Sequence, residues 1–445
     1  MTHTAAPIDR DALIARYERT RARTRELFAL VSDDAYYRAP IPTRHPLVFY
    51  DGHLPAFSFN TLVKKALGGA SIDGDLERLF ARGIDPAEVA PRQKQSAAAV
   101  WPERRLVRQF TDEADRRVLA ALAGADLDQP GHPYLERAEA VHAILEHEAM
   151  HQETLLYMWH RLPLEQKRAP AEYRPAPSGR APVPQWVEIP AGDVTLGARR
   201  GSIPFGWDNE FGAATEHVPP FSIERYDVTN SAYLEFVDAG GYEEPRWWGP
   251  EDWSWRERER LHHPLFWQRT DGEWYWRGMF ERFPLPASWP VYVSQAEAAA
   301  YACWRDARLP TEAEFQRAAF TTPRGEARQF PWGSASPTQE HGVFDFASWD
   351  PEPVGGHPAG QSAWGVEDLV GNGWEWTSTV FAPFAGFRAM ASYPEYSADF
   401  FDGQHVVMKG ASPATSRELL RPTFRNWFRP RYPFVYAAFR CARSA

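Results

Sequence analysis

The sequence predicts two domains of different class, α followed by α+β. A four-helix bundle is expected over residues 1–170, a loop-rich α+β domain over 186–445, and a linker at 171–185. Three observations carry this. Apolar residues in the first part recur at three- and four-residue steps, the period of a helix with one buried face. From Trp186 on, short β-type runs alternate with Gly/Pro turns and long aromatic loops. Between them runs KRAPAEYRPAPSGRAPVPQ, dense in Pro and Ala and without apolar periodicity. A chain of 445 residues also exceeds what one ordinary core serves.

The helices of the first part are DALIARYERTRARTRELFAL, FNTLVKKAL, PERRLVRQFTDEADRRVLAALAG and AEAVHAILEHEAMHQETLLYMW at 138–159. The last contains no Gly or Pro and is rich in Ala, Leu, Glu and Met, the strong helix formers. In the second part WVEIPAGDVTLG, FSIERYDVTN and HVVMKGAS read as strands, and 295–306 and 311–319 as helices. Thr311 with Glu314 three residues on has the form of a capped helix start. So much loop in one domain, including RWWGPEDWSWRERERLHHPLFW, suggests that the loops carry a site.

Bulk properties exclude several functions. No apolar run approaches the roughly 20 residues of a transmembrane helix, so no membrane partner is expected. The opening MTHTAAPIDRDALIARYERTRART lacks the apolar core of a secretory signal. Cys303 and Cys441 are the only cysteines, which fits a reducing, cytoplasmic setting. A net charge of −10 disfavours nucleic acid, whose phosphates demand a basic surface. The 19 tryptophans are a stock for stacking and cation–π contacts as well as for cores.

The most informative stretch is His147-Glu148-Ala149-Met150-His151-Gln152-Glu153. Two histidines four apart on a helix share one face, one turn from each other, so both imidazoles can grip one metal ion. Alone, such a pair is a weak signal, because histidines fall at this spacing by accident. His147-Glu148-x-x-His151 also spells the zinc-protease pattern, which would need a third ligand and a substrate cleft and leaves the second domain unexplained. Glu153 points away from His151 on an ideal helix, so it is expected to brace or pack rather than to bind metal. Asp51 could orient an imidazole or be a plain turn residue.

Several phrases of the second part occur in a known order: WVEIPAGDVTLG, Tyr226-Asp227-Val228-Thr229-Asn230, Arg308-Leu309-Pro310-Thr311-Glu312, Asp368-Leu369-Val370-Gly371-Asn372-Gly373-Trp374-Glu375-Trp376, Gly410-Ala411-Ser412, Arg425-Asn426-Trp427 and Phe439-Arg440. On these phrases the second part resembles the formylglycine-generating-enzyme or sulfatase-modifying-factor domain, which is C-type-lectin-like. The first part resembles a DinB-like four-helix bundle. In this order the two resemble the ergothioneine-pathway sulfoxide synthases, non-haem iron enzymes that use O2 to join sulfur to the imidazole C2 of hercynine (Nα-trimethylhistidine). That family carries a lone Gly-His before an HxxxHxE helix. Here these are Gly52-His53 and His147, His151 and Glu153, so His53, His147 and His151 are implied as ligands of Fe(II). Three neutral imidazoles leave room on an octahedral ion for substrate, donor and O2. The alternative for His53 is a buried structural histidine.

The resemblance also implies substrate residues. A quaternary ammonium is best held by aromatic faces, and the family's Asn-Trp pair falls on Asn426 and Trp427, although Trp427 could simply pack in the core. Members that use γ-glutamylcysteine follow that Trp with an Asp and, four residues later, an Arg. Here those positions are Phe428 and Tyr432, with Arg429, Arg431, Arg92 and Lys94 as possible substitutes. A Gln that touches hercynine is replaced by Met150. The family's proton-donating tyrosine has no direct counterpart, and Tyr393 and Tyr396 are the nearest candidates. These departures, with the lead-in RHPLVFYDGH, resemble the selenoneine-synthase branch, whose donor is a selenosugar. Cysteine or another thiol is the alternative donor. Because neither part alone holds both a metal set and a cation-binding aromatic set, activity is expected to need both. Two rivals remain: a copper-dependent formylglycine-generating enzyme, for which Cys303 and Cys441 look too core-like, and a non-catalytic small-molecule binder, which would hold no stoichiometric iron.

Overall fold

The computed structural model describes residues 8–83 and 101–445, so Arg92 and Lys94 lie outside the described residues. The chain divides into two compact units. One comprises 1–171 together with 390–394, and the other 172–389 with 395–445.

The first unit is helical. Helix α1 (Arg10–Ala29) starts at Asp9, whose carboxylate accepts from Ala12 N at 3.0 Å. Helix α2 (Leu47–Ser58) runs directly into a π-helical segment (Phe59–Ala66). FNTLVKKAL is therefore not a separate helix but the tail of a longer one. Its first half was hidden because Gly52 and Pro55 read as breakers; Pro55 withdraws one donor from the ladder shortly before the hydrogen-bond pattern widens. The short helix α3 (Gly74–Phe80) was not foreseen, although Asp73 caps it with bonds from Asp75 N and Leu76 N. Helices α4 (Arg104–Gly124) and α5 (Glu139–Arg161) match the predicted elements, and α5 is buried along nearly its whole length. Tyr17, Phe59, Leu62, Ala114, Val118, Val141, Ile144 and Leu145 form the shared core.

The second unit is built from small sheets. Strands β1 (Trp186–Ile189), β4 (Phe221–Glu224) and β12 (Ala442–Ser444) form one, with β4 in the middle and antiparallel to both neighbours. Strands β2 (Gly192–Leu196) and β3 (Ala214–Val218) pair antiparallel. Strands β5 (Trp267–Thr270), β6 (Glu273–Arg277) and β7 (Arg282–Pro284) form a meander whose first turn, Asp271-Gly272, takes positive φ at both residues. The fourth sheet has the order β10-β9-β8-β11, from β8 (Gly373–Val380), β9 (Val406–Ala411), β10 (Asn426–Phe428) and β11 (Ala437–Ala438).

Four helices accompany the sheets: α6 (Asn230–Asp238), α7 (Pro250–Glu259), α8 (Gln295–Trp304) and α9 (Glu312–Phe320). Helix α9 opens with the expected Thr311/Glu314 capping box, and α7 occupies part of the stretch read as aromatic loop. The proline-rich segment lies along this unit: Tyr173 OH donates to Asp350 at 2.9 Å and Ala287 N to Ser178 Oγ at 3.2 Å. Arg440 is wholly buried and ties the final strands to Glu375 and Asp227 at 2.6 and 3.1 Å. No described helix is long and apolar enough to cross a membrane.

Candidate metal centre and substrate residues

His53 on α2 and His147 and His151 on α5 come together. One ring nitrogen from each lies within 4.8 Å of the others, and no second such group of His, Cys, Asp or Glu occurs among the described residues. Ring centroids are 5.2 Å apart for His53–His147, 5.0 Å for His53–His151 and 4.4 Å for His147–His151. Gly52 makes this possible. A Cβ there would sit 2.3 Å from the Phe80 ring, so only glycine lets α2 close on α3. That closure brings the Phe80 carbonyl 2.6 Å from His53 Nδ1. A carbonyl only accepts, so Nδ1 carries the proton and Nε2 keeps its lone pair.

All three rings are buried, and the nitrogens tell the rest. His53 Nε2, both nitrogens of His147 and His151 Nδ1 are buried without a hydrogen-bond partner. So many unsatisfied buried acceptors and donors in one place are costly unless something fills the gap between them. Protons are a poor filling: burial drives the His53 pKa down to about 4, and burial plus the neighbouring imidazoles holds His147 well below the usual histidine range. His151 is lowered likewise, by burial first, then by His53 and Arg44. Neutral imidazoles are the form that binds a transition metal, so the donor set fits an iron(II) ion.

The surroundings separate the candidates. Phe57 stacks on His147 at 3.6 Å and 8°. Tyr393 reaches the same place from segment 390–394, its ring 5.9 Å from His147 and 5.1 Å from Phe57. Ser392 Oγ fastens that segment to Glu139 at 2.9 Å. Tyr396, by contrast, is stacked on Trp207 in the second unit at 3.9 Å and 21°. Met150 is half-buried beside His151, and Glu153 is buried on α5. Asp51 does not orient His53; it accepts from Tyr36 OH at 2.6 Å. Glu148, which a zinc protease would use as its base, has one oxygen held by Arg21 and Thr24 of α1 at 2.7 and 2.6 Å.

In the second unit, Asn426 and Trp427 lie on β10, with Trp427 opposite Val407 on β9. Trp427 is half-buried and stacks on Phe381 at 4.3 Å and 6°, with Tyr396 and Phe400 at its edges. Asn426 Oδ1 accepts from Trp427 N at 2.9 Å. Phe428 and Tyr432 stack on each other at 5.1 Å and 16°. Arg431 is occupied by Asp252 and Glu251 at 2.7 and 2.8 Å, and Arg429 donates to Gln404 at 2.9 Å. Phe381 and Phe400, the further aromatic neighbours of Trp427, were not legible, because they are scattered along the chain with no shared motif.

Comparison with known proteins bears on both units. Residues 172–445 match the model of the sulfatase-modifying factor enzyme 1-like domain, and 16–155 that of the DinB superfamily. A hercynine oxygenase of Mycolicibacterium smegmatis is 39% identical over 309 residues, 67% of this chain and 70% of that protein. The chain belongs to the ergothioneine-pathway sulfoxide synthase family. A second relative, the hercynine oxygenase of Mycobacterium tuberculosis, is 42% identical over 250 residues, 56% of this chain and 58% of that protein. Ergothioneine biosynthesis protein 1 of Schizosaccharomyces pombe is 28% identical over 448 residues, which is 93% of this chain but 54% of that protein. The cysteines that the copper-enzyme rival would need lie in different settings. Cys303 is exposed, contrary to the core position expected, while Cys441 is buried and its thiol is pushed well up by burial and Glu224. A buried thiol held in its protonated form, as at Cys441, is not a reactive thiolate.

Proposed function

We propose that this chain is an O2-dependent, non-haem iron(II) enzyme that forms a carbon–chalcogen bond at the imidazole C2 of hercynine, with a selenosugar as donor. The observation that carries the reading is the buried three-histidine cluster with Tyr393 beside it. Its relatives named hercynine oxygenase supply the substrate. His53, His147 and His151 would hold the iron, which when bound supplies the one-electron and O2 chemistry that the side chains lack.

The remaining roles belong to the chain itself. The Phe80 carbonyl fixes the His53 tautomer, and Phe57 holds the His147 ring plane. Tyr393 would be the phenol that gives or holds a proton, with Tyr396 packing against Trp207 instead. Trp427 and Asn426 would receive the trimethylammonium group of hercynine, which has no N–H and is met by an aromatic face rather than by a hydrogen bond. Met150 would line the imidazole side.

The donor proposal rests on what the two positions after Trp427 offer a γ-glutamyl group. Its carboxylate and ammonium need charged partners once desolvated. Phe428 and Tyr432 offer none, and Arg431 already neutralises Asp252 and Glu251. A neutral, aromatic wall suits a sugar ring. Hercynine deuterated at C2 tests the hercynine part of the proposal independently of the donor. With iron(II), O2 and any accepted thiol or selenol, the deuterium should be lost in step with product. Retention of the label in every O2-dependent product would sink it, and a sulfur product with no selenium product would return the chain to the thiol alternative.

A further inference from the structure

The two candidate metal histidines of α5 have neighbours on that helix whose side chains bond to α1. Each pair, His147 with Glu148 and His151 with Gln152, is separated by about 100° around the helix axis. Glu148 Oε1 accepts from Arg21 Nη1 at 2.7 Å and Thr24 Oγ1 at 2.6 Å. Gln152 Nε2 donates to Thr20 O at 2.8 Å and Thr24 Oγ1 at 2.9 Å. Arg21 Nε in turn donates to Asp115 Oδ1 on α4 at 2.8 Å, and Tyr17 OH joins the same oxygen at 2.8 Å. Arg21, Thr24, Asp115, Glu148 and Gln152 are all buried.

An ion pair at this depth is hard to explain as a stabiliser. Desolvating both charges costs several kcal/mol, and well-packed apolar replacements of similar volume are often as stable or more so. The best-attested use of such a pair is to fix register. Register matters here because a rotation of α5 by about 10° carries an atom about 6 Å from the axis through about 1 Å. Metal–ligand distances tolerate only about ±0.2 Å.

We propose that the Arg21–Glu148 pair, with Thr24 and Gln152, is a positioning device that sets the rotation of α5 and so aims His147 and His151 at the metal. This rests on the metal part of the proposed function, not on the donor. The test uses the full-length protein with Co(II) as probe, read by its visible spectrum and by titration, with circular dichroism and Tm alongside. The double variant Arg21→Met/Glu148→Leu should fold with an unchanged or higher Tm, yet bind Co(II) roughly 10- to 100-fold more weakly and with an altered spectrum. A destabilised core control, Val118→Ala, should lose Tm but keep the affinity and spectrum of the wild type. Wild-type Co(II) binding that is lost in His147→Ala but intact in the double variant overturns the positioning role alone. If the wild type and His147→Ala both fail to bind Co(II), the metal proposal and this inference fall together. Should the double variant not fold, Thr24→Val/Gln152→Leu leaves the ion pair in place and is expected to weaken Co(II) binding several-fold; unchanged affinity there overturns the inference.

Discussion

Tyr393 and Tyr396 show what a sequence can and cannot assign at the level of single residues. Both precede or sit in Glu395-Tyr396-Ser397, and nothing local distinguishes them. What does is long-range: segment 390–394 packs with the bundle, where Tyr393 meets Phe57 and His147, while Tyr396 lies on Trp207. Tyr393→Phe should therefore cut the rate of carbon–chalcogen bond formation by about 10²- to 10⁴-fold, the usual worth of a positioned proton donor. Tyr396→Phe should act mainly on substrate KM and stability; equal rate losses in the two variants would remove the distinction. Trp427 carries a second prediction. A desolvated cation–π contact is worth on the order of 2 kcal/mol, so Trp427→Ala should raise the hercynine KM about 30-fold. The stack on Phe381 means Tm falls as well, and Trp427→Phe should recover most of both. An unchanged KM beside a lowered Tm would assign the ring to packing. The His147/His151 pair was legible because helical periodicity alone puts both on one face. His53 was legible only through its Gly-His motif. Its cause, the Phe80 ring against Gly52, lies on a helix that the sequence did not announce.

Helix α3 is the element on which that arrangement depends, since it presents the Phe80 carbonyl to His53. Its anchor is Glu77, a buried carboxylate. Burial alone would raise its pKa, but bonds from Lys64, Ser71 Oγ, Ile72 N and Asp73 N together hold it below the usual range. The sign follows from the lowered value. The stability that Glu77 contributes is complete above the unfolded-state pKa near 4.5 and is lost as pH falls through the lower folded-state value. Tm measured from pH 6 to pH 3 should show a gap between wild type and Glu77→Gln that shrinks toward the acid end; a gap constant with pH would mean that the charge is not what holds the helix. The long periodic helices α1, α4 and α5 and the capped helix α9 were readable from local pattern, because propensity and capping agreed there with the final structure. The α2–π segment and α3 were not. In α2, glycine and proline carry tertiary tasks, close approach at Gly52 and a withheld donor at Pro55, which leave only the look of a loop in the sequence; α3, at 7 residues, is too short to show a helical period.

Across the whole molecule, the fold class and the division into a helical and a sheet-rich part followed from periodicity, and the family followed from motif order. The donor proposed above could not be read that way, because the side chains it is argued from find partners elsewhere in the chain, Arg431 with Asp252 and Arg429 with Gln404. The most direct measurement is a competition turnover. The iron(II)-loaded full-length enzyme is mixed anaerobically with hercynine and equal amounts of selenosugar, cysteine and γ-glutamylcysteine, then exposed to O2, and the products are resolved by mass spectrometry. The selenium product of hercynine should dominate, depend on O2 and vanish in His147→Ala. Dominance of the γ-glutamyl product would contradict the donor assignment, and hercynine left unconverted with every donor would contradict the account as a whole.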